Sequence, residues 1–250
     1  AAMSASGLYG NLRACDGIVG HVDLRLGGKA GAVLDAQIAA GNGRFKGIRY
    51  QTGWDADPGI RNSRTDPTAE LTRDKTFRAG FAELAKRDLT FDAWLYHPQL
   101  AEIAELADAF PGTPIVLDHV GGPLGYAGYA GRHDEVRAAW KKSMVELAKR
   151  QNIVVKVGGL GMAMGWFDFY QRPTPPGSQA LAHAFKPWVE TCIELFGVDR
   201  CMFESNFPVD KITSGYGVLW NAFKRLASGA SATEKTALFS GTARRVYHLD

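Results

Sequence analysis

Two histidines in this 250-residue sequence follow apolar segments that read as buried strands. His97 comes at the end of WLYH, and His119 comes at the end of IVLDH. Imidazole nitrogens bind divalent metals and exchange protons near neutral pH. On neighbouring strands, the two side chains could share a metal ion or flank a substrate carbonyl, with His119 as a catalytic candidate. The alternative is that each is a hydrogen-bonded residue at a strand end.

The segment CMFESNFPVDK places a carboxylate, a hydroxyl and an amide directly after another apolar run. Glu204 is a candidate catalytic base or ligand, and Asn206 can ligate or donate a hydrogen bond. Asp210 is expected to cap the following turn. An ordinary polar loop is the alternative for this segment.

Two cations lie inside apolar runs, Arg49 in GIRY and Lys156 in VVKV. A guanidinium fits a carboxylate with two parallel hydrogen bonds, and an ammonium binds it as a point charge. Arg49 and Lys156 are therefore candidate substrate-binding residues, and structural ion pairs are the alternative. Trp54 is a third candidate, because Trp54, Trp94 and Trp166 could line a pocket, although aromatic side chains usually lie in the core.

The pair His21 and Asp23 resembles a metal-binding pattern, but it lies in the middle of the run GIVGHVDLRL. A core histidine beside a strand carboxylate is the better interpretation. His133, His183 and His248 lie in polar, helical or terminal segments and are expected at the surface.

These candidates must be positioned by alternating strands and helices. The strand-like runs are 17–26, 45–50, 91–96, 114–119, 153–157 and 200–204. The runs with helical spacing of apolar residues are 30–40, 75–87, 100–109, 134–150, 180–196, 216–227 and 232–246. Such alternation predicts parallel βαβ units.

Glycine placement favours a barrel over a doubly wound nucleotide-binding sheet. Neither GxGxxG after the first strand nor GxxxxGK[ST] is present, whereas Gly121-Gly122 and Gly158-Gly159 follow later strands. We predict one α/β domain over residues 1–250, of the (β/α)₈ TIM-barrel type, in which six parallel strands are visible and two βα units are lacking. Polar residues at the carboxyl ends of the strands then meet at one mouth.

Composition points to a small-molecule substrate. The net charge is +3 without a block of like charges, so neither nucleic acid nor a membrane is expected as a partner. The three cysteines lack CxxC spacing and are odd in number, which favours a cytoplasmic protein without disulfides.

The segments WLYHPQL, IVLDHVGG, VVKVGGL and MFESNFPVDK, in this order, resemble the amidohydrolase-related family of TIM-barrel metal-dependent hydrolases. The likeness is to its branch of sugar lactonases and dicarboxylate or muconolactone hydrolases, and it runs from Gly17 onward. The resemblance implies that His97 and His119 match the histidines of barrel strands five and six. It also implies a divalent metal, zinc or manganese.

The sequence departs from that family at two places. It has no first strand ending in His-x-His, so the metal site would be incomplete and the chain looks truncated. The family's GSDWP is replaced by Glu204 to Pro208, with Asn206 in place of the water-activating Asp. We therefore expect a hydrolase that acts on a lactone or a related ester or amide, in which either Glu204 is the base or the water is activated differently. The alternatives are a muconate-type decarboxylase, or a truncated, non-catalytic barrel. With two units lacking, the first and last visible strands would have unpaired edges, through which we expect aggregation or a homo-oligomer.

Overall fold

In the part of the chain that the structure describes, the sheet consists of six parallel strands and is open. The computed structural model describes residues 6–8, 10, 15–165 and 167–249. The strands are β1 (Ile18–Gly20), β2 (Phe45–Gln51), β3 (Thr90–Trp94), β4 (Ile115–Leu117), β5 (Ile153–Val157) and β6 (Cys201–Phe203). They pair in sequence order, and β1 and β6 form its two edges. The predicted α/β architecture with six parallel strands is confirmed.

Helices connect successive strands and cover one face of the sheet. They are α1 (Ala30–Gly41), α2 (Lys75–Ala85), α3 (Leu100–Ala109), α4 (His133–Ala148), α5 (Ser178–Phe196), α6 (Tyr216–Leu226), α7 (Ala232–Thr236) and α8 (Thr242–Val246). The last predicted helix, 232–246, is divided by a π-helical turn at Ala237–Gly241. The large core lies between these helices and the strand residues that alternate toward them, such as Ile48, Phe91 and Val155.

The opposite face corresponds to the interior of a barrel. Val116, Val154 and Met202 form a smaller apolar cluster there with Val246 and Tyr247. The segment after α7 therefore crosses the inner face of the sheet. It is fixed at its end by Lys46, whose Nζ donates to the carbonyl of His248 over 2.9 Å.

The first strand is much shorter than predicted, and this overturns the interpretation of His21. β1 ends at Gly20, so His21 follows the strand and is exposed instead of lying in the core. Its Nδ1 lies 3.1 Å from the carbonyl of Arg49. The chain turns here because Asp23 caps the 3₁₀ segment Leu24–Lys29, accepting from the amide of Arg25.

Three further observations concern the remaining histidines, the cysteines and the helices. His133, His183 and His248 are exposed, as predicted. All three cysteines are free thiols. No helix in the part of the chain that the structure describes is long and apolar enough to cross a membrane.

Candidate functional site

A buried layer of charge lies on the inner face of the sheet, near the carboxyl ends of its strands. Arg49 of β2 stands beside Asp92 of β3 in the register, and Lys156 of β5 stands beside Met202 of the inner cluster. Asp118 follows β4. Because side chains alternate along a strand, these polar residues all lie on the face of the sheet opposite to the helices.

Lys156 joins the two carboxylates of this layer. Its Nζ pairs with Oδ2 of Asp92 and lies 3.1 Å from Oδ1 of Asp118, and both carboxylates are fully buried. Burial raises the pKa of Asp92 to about 6, although Lys156 opposes the shift. Burial acts in the same direction on Asp118, but the positive charges of Lys156 and Arg49 outweigh it and lower the Asp118 pKa. The structural ion-pair alternative for Lys156 is therefore present in the structure.

His119 is brought to this layer by a left-handed turn. His119 and Val120 have φ angles of 54° and 50°, which non-glycine residues rarely adopt. The backbone N–H of His119 donates to Oε1 of Glu204 over 3.1 Å, and Nδ1 of the His119 ring is hydrogen-bonded to the same oxygen. Nη2 of Arg49 lies 2.8 Å from Nε2. Because a guanidinium only donates, Nε2 accepts and the ring proton lies on Nδ1.

The close approach of these groups depends on Gly158 and Gly159. A Cβ at Gly159 would lie 2.5 Å from Cβ and Cγ of His119, and one at Gly158 would lie 2.3 Å from the carbonyl oxygen of Glu204. Gly159 also has a φ of 68°. This explains the paired glycines after β5, since any side chain here would displace His119 or Glu204.

The side chain of Asn206 holds Asp210. Its Nδ2 donates to Oδ1 of Asp210 over 2.8 Å, and the amide of Gly161 donates to Oδ2 over 3.1 Å. Burial raises the pKa of Asp210 to about 6, although these two hydrogen bonds lower it. The expectation that Asp210 caps the following turn is wrong: it lies inside the 3₁₀ turn Val209–Ile212, and its side chain instead joins the loops after β5 and β6.

His97 lies apart from His119 and its partners. It is buried, its Nδ1 accepts from the amide of Leu124 over 3.3 Å, and its ring contacts Tyr129 at 5.1 Å between centroids. Burial lowers the pKa of His97 to about 4, so it is neutral at pH 7. Strand alternation explains its position, because His97 continues the face of Ala93 and Leu95, which is covered by helices.

The donor set does not fit a divalent metal. Nδ1 of His119 is occupied by Glu204 and Nε2 faces a guanidinium, whose positive charge would repel a cation. His97 is bonded elsewhere. Within residues 6–8, 10, 15–165 and 167–249, no three His, Cys, Asp or Glu side chains are grouped closely enough to hold an ion. The expected metal pair of His97 and His119 is therefore not assembled in the described part of the chain.

A cavity of about 700 Å³ opens above the strand ends, next to this cluster. It is bounded by the loops after β2, β3, β4, β5 and β6. Trp94 forms the boundary between cavity and cluster: its ring lies 4.8 Å from that of His119 and 5.7 Å from the Arg49 guanidinium. Trp54 is not among the lining residues; its amide donates to Gln99. Trp166 lies outside the described residues.

Asp92, Asp118 and Tyr247 were not identified from the sequence. Tyr247 donates its hydroxyl to Oδ2 of Asp92 over 2.7 Å, from the far end of the chain. The sequence does contain a signal for Asp92 and Asp118. By strand alternation in FDAWLY and PIVLD, each of them lies on the inner face of the sheet. The presence of Lys156 in the same layer called for buried anions.

Comparison with known proteins shows the family to which this chain belongs. A family model described as "Amidohydrolase" matches residues 11–249. The uncharacterized protein y4mH of Sinorhizobium fredii is 37% identical over 238 residues, which cover 93% of this chain and 70% of that protein. An L-fucono-1,5-lactonase of Burkholderia multivorans is 28% identical over 243 residues, covering 94% and 74% respectively.

Solved structures show the same architecture. An amidohydrolase from Burkholderia multivorans with bound HEPES superposes with a TM-score of 0.75 at 27% identity, covering 94% of this chain and 74% of that one. A second crystal form of the Burkholderia protein, with the same TM-score and 26% identity, contains zinc. A 2-pyrone-4,6-dicarboxylic acid hydrolase of Pseudomonas putida, at 18% identity and a TM-score of 0.58, shares the fold. The superposition covers 86% of this chain and 67% of that one.

Proposed function

Because this chain is a hydrolase of the amidohydrolase family, we propose that it opens a lactone ring with water at the cluster of Arg49, His119 and Glu204. The observation that carries the proposal is the position of His119, held at Nδ1 by a carboxylate and at Nε2 by a guanidinium. A histidine oriented by a carboxylate is a general base whose second nitrogen is ready to accept a proton.

The reaction proceeds through attack of water on the lactone carbonyl. Nε2 of His119 removes a proton as the water oxygen bonds the carbonyl carbon, and Glu204 stabilises the resulting imidazolium. The ring C–O bond then breaks, and the imidazolium returns the proton to the departing oxygen. The product is a hydroxy acid. Glu204 thus orients the base instead of acting as the base itself.

Arg49 binds the carbonyl oxygen in this proposal. Its side chain is 35% exposed, against 2% for His119 and 14% for Glu204, so it is the member that substrate meets first. When its guanidinium turns to the carbonyl, Nε2 of His119 becomes free. Asp118 holds Arg49 by an ion pair and is itself held by Lys156. Asn206 acts through Asp210 on the loops that shape the mouth. No step passes through a metal.

The remaining expectations stay proposals of the same kind. The substrate is a small molecule, and a cytoplasmic location and a homo-oligomer are predictions from composition and from the open edges of the sheet. Trp54 remains a predicted substrate-binding residue without a contact to the cavity.

The test is an assay of lactone hydrolysis. Protein treated with chelator is mixed with each of a panel of lactones, and the acid released by hydrolysis is measured. We expect turnover that is abolished in His119→Gln. A decarboxylase is the second candidate, because some amidohydrolase-fold structures bear that name, and it would release CO₂ from an aromatic acid instead. CO₂ release without lactone hydrolysis would replace the proposal.

A further inference from the structure

Tyr247 reaches the buried layer of charge from the segment that crosses the inner face of the sheet. Its ring packs in the apolar cluster of that face, and its hydroxyl donates to Oδ2 of Asp92 over 2.7 Å. The segment is fixed on both sides of the ring. The amide of Tyr247 donates to the carbonyl of Ala243 over 3.0 Å, and Nζ of Lys46 donates to the carbonyl of His248 over 2.9 Å. The hydroxyl is therefore a buried donor in a fixed place, and no step of the proposed hydrolysis uses it.

The carboxylate of Asp92 is shared between Tyr247 and Lys156. Both donors reach the same oxygen, Oδ2, and Asp92 is fully buried. The other oxygen, Oδ1, lies 3.4 Å from the hydroxyl of Thr90, which is a weak contact. A buried charge is costly unless it is paired and hydrogen-bonded. Without the Tyr247 hydroxyl, Asp92 would depend almost entirely on the Lys156 ammonium.

Asp118 competes with Asp92 for the same ammonium. Nζ of Lys156 lies 3.1 Å from Oδ1 of Asp118, and Oδ2 of Asp118 lies 2.9 Å from Nε of Arg49. Apart from these two cations, no group in the described part of the chain holds either oxygen of Asp118. The position of the ammonium between the two carboxylates therefore decides how strongly Asp118 attracts the guanidinium of Arg49.

We propose that Tyr247 is a positioning residue for Arg49. It acts through a relay of Asp92, Lys156 and Asp118, and the inference rests on the proposed role of Arg49 in lactone hydrolysis. The hydroxyl satisfies part of the charge of Asp92, which leaves the ammonium close enough to Asp118 to neutralise it. The guanidinium can then extend toward the catalytic base and the substrate carbonyl. Without the hydroxyl, the ammonium moves toward Asp92, and Asp118 draws the guanidinium back.

Tyr247→Phe tests this role because it removes only the hydroxyl. The ring keeps its apolar packing, and it stays beside the Lys156 ammonium, which lies 5.5 Å from the ring centroid of Tyr247. We expect kcat for lactone hydrolysis to fall about fivefold with KM within about twofold. This is a fraction of the loss of about 10²- to 10³-fold expected when an oxyanion donor is removed outright.

The matched control is Tyr50→Phe. Tyr50 is also buried, and its hydroxyl donates to a carboxylate, Oδ1 of Asp23, over 2.9 Å. That carboxylate pairs with Arg25, and the Tyr50 ring packs in the large core on the helix side of the sheet. The control therefore loses the same kind of hydrogen bond outside the relay, and its kcat and KM should match those of the parent protein. An equal fall in kcat in the two variants would overturn the proposal.

Nuclear magnetic resonance of protein labelled with ¹⁵N-arginine separates this inference from the proposed function, because it needs no substrate. The Nε–H signal of Arg49 is identified by its loss in Arg49→Lys. We expect this signal to shift in Tyr247→Phe and to keep its position in Tyr50→Phe. If no lactone is hydrolysed but the signal shifts as expected, the hydrolysis proposal fails and the relay stands. If the signal is unchanged in Tyr247→Phe, the relay is wrong even where hydrolysis is observed.

Asp92→Asn shows whether the effect passes through the relay. The amide carries no charge to attract the ammonium, so the Tyr247 hydroxyl no longer controls where the ammonium lies. In this background, Tyr247→Phe should cause no further change in the Arg49 signal or in kcat. Independent effects would add instead, so the same change in both backgrounds would overturn the proposal. If Asp92→Asn does not fold, the comparison of the Arg49 signal between Tyr247→Phe and Tyr50→Phe decides.

Discussion

Nη2 of Arg49 lies 2.8 Å from Nε2 of His119, so a partly exposed cation lies directly against the proposed catalytic base. The same guanidinium pairs through Nε with Oδ2 of Asp118 over 2.9 Å. Asp118 anchors the arginine at one end while the other end can exchange His119 for a substrate oxygen. This arrangement couples substrate binding to release of the base.

Arg49→Lys tests that coupling. Lysine keeps the charge but cannot reach Asp118 and a carbonyl with one planar group. We expect kcat/KM to fall about 10²- to 10³-fold, the usual loss for one donor to a developing oxyanion. The control is Arg150→Lys, which pairs with Asp108 on the helix side of the sheet and should leave activity unchanged. Equal kinetics for the two variants would remove Arg49 from the mechanism.

Gly159→Ala should displace His119. The new Cβ would lie 2.5 Å from the imidazole, and the alanine would have to adopt a φ of 68°. Gly43→Ala is the matched control, because Gly43, before β2, has a φ of 78° with no atom within 4 Å. We expect Gly43→Ala to cost about 1–2 kcal/mol with full activity, and Gly159→Ala to cost more and to abolish hydrolysis. Denaturant unfolding and kcat/KM measure both, and similar activity in the two variants would contradict this account of the site.

The architecture followed from the sequence because its signals are local. Six apolar runs of strand length alternate with helical spacing, and this pattern is independent of the distant contacts that each segment makes. β5 has the predicted bounds, while β1 is shorter because the Asp23 cap turns the chain earlier than apolarity suggested.

The site was only partly predictable. Strand parity places Arg49 and Lys156 together, but it assigns His119 to the helix-covered face along with His97. The left-handed turn at His119 and Val120 reverses that assignment, and no glycine at either position announces it. The partner of His119 is Glu204. The two meet because Gly158 and Gly159 let the loops after β4, β5 and β6 approach closely, which is a tertiary effect that no local pattern predicts.

Lys156→Met should be strongly destabilising. It leaves Asp92 and Asp118 buried without their shared cation, and removal of one partner from a buried pair costs about 3–5 kcal/mol. Lys149→Met removes an exposed pair with Glu146 and should cost less than about 1 kcal/mol. Urea unfolding at pH 7.5 measures both. A small effect for Lys156→Met would mean that the inner charge layer adds little to stability.

Stability should depend on the titration of Asp210. Its folded-state pKa is raised to about 6 from an ordinary value of 3.8, so the folded protein binds the proton more tightly than the unfolded chain. The stabilisation is fully present below about pH 4 and is lost as pH rises through 6, by up to about 3 kcal/mol. Asp210→Asn should remove this part of the pH dependence. Asp92, raised in the same direction, keeps its own contribution. An unchanged profile between pH 4 and 7 in Asp210→Asn would contradict the assignment.

Glu204→Gln distinguishes an orienting carboxylate from a base. The amide oxygen can still accept from the backbone N–H and from Nδ1 of His119, so the ring should keep its position. The negative charge that stabilises the imidazolium is lost. We expect kcat to fall about 10²-fold with KM within twofold, in the range of general acid–base effects. Glu194→Gln, exposed on α5, is the control and should match the parent enzyme. Since glutamine preserves the hydrogen bonds, a loss confined to kcat reports the charge on the proton-transfer step. A rise in KM alone would instead make Glu204 a substrate-binding residue, and full activity would show that His119 works without it.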